Sequence, residues 1–432
     1  MGGKAFKNLL PNATFPRMHP TVYNALKAKF LPILQSLYAY AAVSPEAPGK
    51  VNYGDLDIVV TGPREGLTHE QVKDALRATC SVPAEGNRTS NFAIPADAFE
   101  DIAEARRKAA AVALNTATHG DAMDTDKDVF FQVDVNVCAD HAQWERTVFY
   151  SSLGDLGFFL GLFAQTAGLS FNIYGMKLAD PIPTYPAQTF YVSSSMDDIL
   201  SLFELSMERW KQGFATEDDI FAWLATSPFA HILVARYRSP EYEIAAKERI
   251  PERPMRGHFV EYLRKHGVSA PATSLFAQEG RTDEKIAAAL KFFAKDEEHA
   301  TLVYKSRAQK HSKELLNGTN VMAWTGLAGM SVRAIMDEVK ERLARLPAGA
   351  GVDAPHAVGE AVSTWQKALL GMSEEDIRAL VMSVKEEMAK GGRLDFDWRA
   401  AKAARLEKKR QKETAALAVS VEENTAAAVA VV

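Results

Sequence analysis

Cysteine is nearly absent from this 432-residue chain, which has only Cys80 and Cys138. Two thiols cannot build a disulfide framework, so the fold is expected to rest on packing in a reducing compartment. Cys138 follows a strand-like run and reads as packed core. Long apolar runs are also lacking. No stretch of eighteen apolar residues occurs and the N-terminus has no secretory apolar region, so the expectation is a cytoplasmic or nuclear protein with no membrane segment. Charge of one sign is scarce as well. A formal net charge of −5 makes the whole surface no attractor of polyanions, and any nucleic-acid contact has to come from a local patch. RNA-recognition motifs and zinc knuckles are missing. The 47% hydrophobic and 24% charged composition is ordinary for a globular protein, and the length allows two or three domains with ample core.

Against that background, two stretches stand out. In Asn52-Tyr53-Gly54-Asp55-Leu56-Asp57-Ile58-Val59-Val60 a β-branched, apolar strand carries two carboxylates at its start. Side chains alternate along a strand, so Asp55 and Asp57 share a face, roughly 6–7 Å apart, while Leu56, Ile58 and Val60 face a core. Like charges aligned on one face repel, and a hard divalent cation relieves them because it takes carboxylate oxygens. Val129-Phe130-Phe131-Gln132-Val133-Asp134-Val135-Asn136-Val137 is a second apolar strand with one acid. A lone Asp there is costly unless paired or bound to metal. Laid beside the first strand, Asp134 completes a cluster of three carboxylates suited to two Mg²⁺ (or Mn²⁺) ions roughly 3.5–4 Å apart.

These motifs resemble the DNA polymerase β-like nucleotidyltransferases, whose pattern is a Gly-Ser turn, an Asp-hydrophobic-Asp strand and a third Asp on a neighbouring strand. Gly54-Asp55-Leu56-Asp57-Ile58-Val59-Val60 matches the strand and Val133-Asp134-Val135 the third position. Ser44 matches half of the turn, and Val43 stands where the family has glycine. The chain also resembles nucleotidyltransferase-like proteins of fungi and large phages through Gly2-Gly3-Lys4-Ala5-Phe6, Tyr53-Gly54-Asp55-Leu56-Asp57 and Gly175-Met176-Lys177-Leu178. The resemblance covers residues 1–180 and more loosely extends to 235. It implies an α+β fold, a mixed sheet with helices, followed here by a mainly helical C-terminal domain. It also implies transfer of a nucleoside monophosphate from an NTP, ATP foremost, to an acceptor hydroxyl on RNA, protein or a small molecule. Asp55, Asp57 and Asp134 are the expected catalytic and metal residues. Ser44, Lys50 and Gly54 are expected around the nucleotide, with Asp155 and Lys177 in the segment that closes over base, ribose or phosphate. A surface ion-pair role is the alternative for each of those last two.

The N-terminus reads two ways: a frayed end, or a flap in which Gly2, Gly3 and Lys4 offer backbone N–H groups and an ammonium to phosphates. His19 to Tyr40 has helical spacing (Tyr23, Leu26, Phe30, Ile33, Leu34, Leu37), and Ala39 to Val43 is expected as the first strand. Thr68-His69-Glu70-Gln71 reads as a capping box opening a helix to Ala78, Asn91 to Ile94 as a short strand, and Ala96 to Leu114 as a helix. The Asp-rich segment His119 to Lys127 lacks the glycine and glutamate of a calcium loop and reads as solvated. Asn87-Arg88-Thr89 is a glycosylation sequon by pattern only.

Beyond Asp134, an apolar helix through Phe158, Phe159, Leu160 and Phe163 precedes a strand or turn at Leu169 to Leu178. Pro181 to Pro186 marks a boundary, giving a catalytic domain at 1–180, a helical domain at 181–346, and a linker, helix and basic low-complexity tail at 347–432. Helices are expected over Ser195–Trp210, Thr216–Ala225, Pro228–Tyr237, Phe259–Lys265, Thr282–Phe293, Glu298–Asn317, Met330–Leu346 and Glu374–Lys390, with no further strand. Two basic clusters, Arg253, Arg256, Arg264, Lys265 and Lys305, Arg307, Lys310, Lys313, are either solvated helix faces or a track for an RNA backbone. Pro347 to Pro355 reads as a linker, Asp395-Phe396-Asp397 as a chance repeat of the acidic spacing, and Lys402 to Lys412 as a basic segment before an Ala/Val/Thr tail. Two further readings stand beside the enzyme: a catalytically inactive nucleotide- or RNA-binding scaffold, and an unrelated α+β protein with strand-end surface acids.

Overall fold

The computed structural model describes residues 3–84, 89–116, 128–184, 186–239, 253–268, 273–278, 280–346, 362–394 and 407. Gly2, Asn87-Arg88, the His119–Lys127 segment, the Pro347–Pro355 linker, Asp395–Asp397 and the basic tail lie outside them. The chain is mixed α+β and packs as two units. One comprises Met1–Pro181 with Thr189–Lys295, the other Ile182–Gln188 with Asp296–Val432. The proline-rich turn near 181 thus lends only a short segment to the second unit, and the main division falls after Lys295.

In the first unit, helix α1 (Pro20–Leu37) buries Val22, Tyr23, Leu26, Phe30 and Leu34 along one stripe. It runs straight into β1 (Tyr38–Ala42), three residues before the sequence ends the helix, because Tyr38 to Ala42 pair antiparallel with β2 (Leu56–Pro63). The five-stranded sheet is completed by β3 (Cys80–Val82), β4 (Thr89–Pro95) and β5 (Phe130–Val137), in the order β1-β2-β5-β4-β3. β2 and β5 run parallel, and every other neighbouring pair is antiparallel. On one face Leu56, Ile58, Val60, Val133 and Val135 pack with α1 and with Ile102 and Ala105 of α3 (Glu100–Thr116). Between β2 and β3, α2 (His69–Ala75) starts from the expected capping box, Thr68 and Gln71 satisfying each other's backbone N–H.

The opposite face of β2 meets α4 (His141–Tyr150), whose Trp144 Nε1 donates to the Val59 carbonyl (2.9 Å). An apolar helix, α5 (Leu156–Thr166), then buries Phe159, Leu160 and Phe163. Leu169–Asn172 (β6) and Gly175–Leu178 (β7) form a hairpin, extended by β8 (Tyr191–Ser193), a strand absent from the sequence reading. Gly175 carries φ +121°, and a Cβ there would strike the Ser193 carbonyl, so only glycine lets β8 approach. The expected helix Ser195–Trp210 is two, Met196–Leu202 and Met207–Lys211, split where Glu204 adopts φ 55°. Aromatic packing ties the helices after β8 to α5 and to one another. Phe159 meets Phe259 (4.5 Å between centroids), and Phe229 meets Phe203 (5.0 Å) and Phe276 (4.6 Å).

In the second unit, Asp296–Leu315, Gly318–Thr325, Met330–Arg345, Thr364–Leu369 and Glu374–Lys390 are helices. They close over a core of Val321, Ile335, Val339, Leu343, Leu369, Ile377, Val381 and Val384. Among the described residues no helix is long and apolar enough to cross a membrane.

Candidate functional site

Asp57 sits opposite Asp134 in the parallel register of β2 and β5, and Asp134 opposite Asn91 in the antiparallel register of β5 and β4. Adjacent strands lie about 4.8 Å apart, so the row places two carboxylates and a carboxamide side by side. Asp55 stands just before β2, and its charge acts on both. The Asp57 carboxyl is pushed up to about 7, from an ordinary 3.8, first by burial and then by the charges of Asp55, Asp134 and Glu46, against a smaller opposing pull from Lys50. Its side chain is exposed to solvent, although much protein lies around it. Asp134 is pushed up to about 6 by burial, with hydrogen bonds from Asn91 and Gln132 working the other way.

Those bonds are specific. Asn91 Nδ2 donates to Asp134 Oδ1 (2.8 Å), and Gln132 Nε2 donates to Oδ1 (2.8 Å) and Oδ2 (3.0 Å). The two amides were missed in the sequence, although Gln132 had a signal there. It stands two residues before Asp134, hence on the same face of an otherwise apolar strand.

The loop from β1 to β2 flanks the acids. Ser44 lies two residues past the end of β1 and is buried. Lys50 Nζ donates to Glu46 Oε2 (2.6 Å) and lies over the Tyr53 ring (4.4 Å from its centroid). Tyr23 stacks on Tyr53 (3.7 Å) and its hydroxyl donates to Glu46 Oε1. Burial and that bond raise the Tyr23 phenol, so it remains a donor. Glu46 and Tyr23, not foreseen as site residues, thus hold Lys50 beside the acids. Gly54 occupies the bend between Tyr53 and Asp55.

The remaining candidates are occupied differently. The backbone N–H of Gly3 donates to Gln132 Oε1 (2.6 Å), and Lys4, itself exposed, opens a one-turn 3-10 helix. Asp155 is buried and ion-paired with Arg253 (3.4 Å) and Arg256 (3.2 Å). Lys177 lies on β7 in the three-stranded sheet, half-buried, opposite Ser170. Of the first basic cluster, Arg253 and Arg256 are therefore spent on Asp155, and Arg264 donates to the Tyr237 carbonyl (3.0 and 2.7 Å). In the second cluster, Lys310 pairs with Glu314 (3.9 Å).

Asp57 and Asp134 offer oxygen donors of the kind a hard cation takes. Asp134 already accepts from two amides, at both of its oxygens, which fixes its plane and leaves acceptor capacity on Oδ2. Burial, and after it the charges of Asp55 and Asp134, keeps a proton on Asp57 to about pH 7, a condition that a divalent ion relieves. As the side chains stand, no group of three or more His, Cys, Asp or Glu among the described residues could hold a metal ion. Asp57 and Asp134 are the pair that the register delivers, and Asp55 joins them through its charge. No protein-family model matches the chain, and no curated protein matches it.

Proposed function

We propose that the protein is a metal-dependent nucleotidyltransferase with a polymerase β-like catalytic sheet, moving a nucleoside monophosphate from an NTP, with ATP the foremost candidate, to an acceptor hydroxyl and releasing pyrophosphate. The observation that carries the proposal is the Asp57–Asp134 register across parallel strands, with Asp55 close enough to raise both carboxyls. Asp55, Asp57 and Asp134 are the residues to hold two Mg²⁺ or Mn²⁺ ions, which when bound supply charge neutralisation for a triphosphate and a more acidic attacking hydroxyl. The chain's own part is placement. Asn91 and Gln132 hold the Asp134 carboxylate in one orientation, where it accepts the acceptor's hydroxyl proton. Lys50, released from Glu46, offers a cation to the triphosphate, and Ser44 offers a hydroxyl from the neighbouring loop. No covalent intermediate is needed, because positioning and charge carry phosphoryl chemistry. The acceptor is RNA, a protein or a small molecule, and Lys265 and Arg307 are exposed basic residues of the kind an RNA backbone takes.

A second reading rests on Lys50. Its ammonium is already neutralised by Glu46, and a site that never frees it would bind a nucleotide without turning it over. The test is incubation with each labelled NTP, Mg²⁺ or Mn²⁺, a panel of RNAs and cell extract. Label in an acceptor, lost in Asp134→Asn, supports transfer. NTP binding without label in anything supports the scaffold, and neither binding nor label sinks both.

A further inference from the structure

The segment from Gly3 to Met18 is stitched to both acidic strands. Thr14 forms a parallel bridge with Val129, its N–H donating to the Asp128 carbonyl and its own carbonyl accepting from Phe130 N (both 2.9 Å). Met18 forms an antiparallel bridge with Tyr53, through bonds of 2.7 and 2.9 Å, just before Asp55. Phe6 is fully buried and stacks on Phe15 (5.3 Å), which stacks on Phe130 of β5 (5.8 Å). At its start, Gly3 donates to Gln132 Oε1, while the other end of that carboxamide holds Asp134. Gly3 has φ +85°, and a Cβ there would lie 2.6–2.7 Å from Phe15, so a side chain is excluded by both backbone conformation and space.

A carboxamide rotates freely unless both ends are engaged, and which end is NH₂ is decided by its partners. The Gly3 N–H can only donate, so it takes Oε1 and leaves Nε2 for the carboxylate. Without Gly3, Gln132 can turn away and Asp134 loses one of its two amide partners. We propose that residues 3–18 brace the acidic site and that Gln132 is the positioning residue through which Gly3 fixes the carboxylate of Asp134. The metal consequence of the brace rests on the nucleotidyltransferase reading. The brace itself does not.

The test compares the full chain with two variants, Gly3→Ala and Gln132→Met. Amide hydrogen exchange reads the brace, Mn²⁺ affinity by electron paramagnetic resonance reads the site, and kcat with KM for ATP reads the reaction. Gly3→Ala should speed exchange in residues 3–18 and 130–137, weaken Mn²⁺ three- to tenfold, and lower kcat more than it changes KM. Gln132→Met removes both links and should weaken Mn²⁺ and lower kcat as much or more, with exchange faster at 130–137 while residues 6–15 stay held by the Phe6–Phe15–Phe130 stack. A merely structural Gln132 would lower Tm and leave Mn²⁺ affinity at the wild-type value, and that result overturns the proposal. If Gln132→Met fails to fold, Gly3→Ala alone decides. A wild-type chain that binds no Mn²⁺ defeats the metal reading, and exchange then judges the brace: faster exchange at 130–137 in Gly3→Ala supports it, unchanged exchange overturns it.

Discussion

The two units of this chain use charge in opposite ways. In the helical unit, charges are paired and exposed. Arg342 bridges Glu338 (3.2 Å) and Glu387 (2.6 Å), and Arg393 reaches Glu338 (3.1 Å). The Arg342 guanidinium holds the carboxyls of Glu338 and Glu387 below their ordinary range. In the sheet unit, Asp57 and Asp134 are pushed the other way, toward neutrality, by burial and by neighbouring carboxylates, Asp55 beside both and Asp134 beside Asp57. Paired surface charges stabilise a helix bundle modestly and do no chemistry. Hemmed-in like charges cost stability, and a fold keeps such an arrangement where a ligand supplies the missing counter-charge. The contrast supports the proposal that function lies in the sheet.

That contrast can be broken experimentally, and the largest effect is expected at the acids. Asp57→Asn and Asp134→Asn should each lower transfer by at least about a thousandfold, since several kcal/mol of charge stabilisation are lost. Removing a like charge should leave the fold intact, and for Asp57→Asn it should not lower the apo Tm at pH 8. Full activity in both variants would exclude these carboxylates from the chemistry, and unfolding would make the cluster a structural network.

Next comes pH. Asp57 and Asp134 titrate higher in the folded chain than in the unfolded one, so the folded state binds more protons between pH 4 and about 7. The stability they contribute is full below pH 4 and is lost as pH rises through about 6 and 7. Thermal melts of the apo chain should therefore show this contribution falling across that window. Asp57→Asn should flatten the fall, and Mg²⁺ should offset it. A flat wild-type profile would contradict the raised carboxyls.

The smaller effects belong to the helical unit and should leave transfer untouched. Ser373 caps Glu374–Lys390 through a reciprocal box with Asp376, and Ser373→Ala should cost about 1 kcal/mol, read as a lower midpoint in denaturant. Arg342→Ala should lower Tm by less than about 2 °C, because exposed ion pairs contribute little. Loss of transfer in either variant would move the function out of the sheet.

What the sequence disclosed follows from how local each signal is. The capping box at Thr68 was legible because donor and acceptor are three residues apart. The Asp strands were legible because period-two alternation is a property of the strand alone, and Leu56, Ile58 and Val60 do face the core. The Asp57–Asp134 register, the clamp of Asn91 on Asp134 and the grip of Gly3 on Gln132 are long-range pairings that no local pattern encodes. Short β3 and β8, three residues each, carry too little alternation to read. The break at Glu204 was hidden because a left-handed residue other than glycine leaves no compositional mark.

The most direct test of the central claim is a Mn²⁺ titration of the intact chain, with and without ATP, followed by electron paramagnetic resonance beside Asp57→Asn. The account predicts saturable binding in the wild-type chain, rising toward two ions per chain with ATP, and its loss in the variant. Equal binding in the two proteins would contradict it.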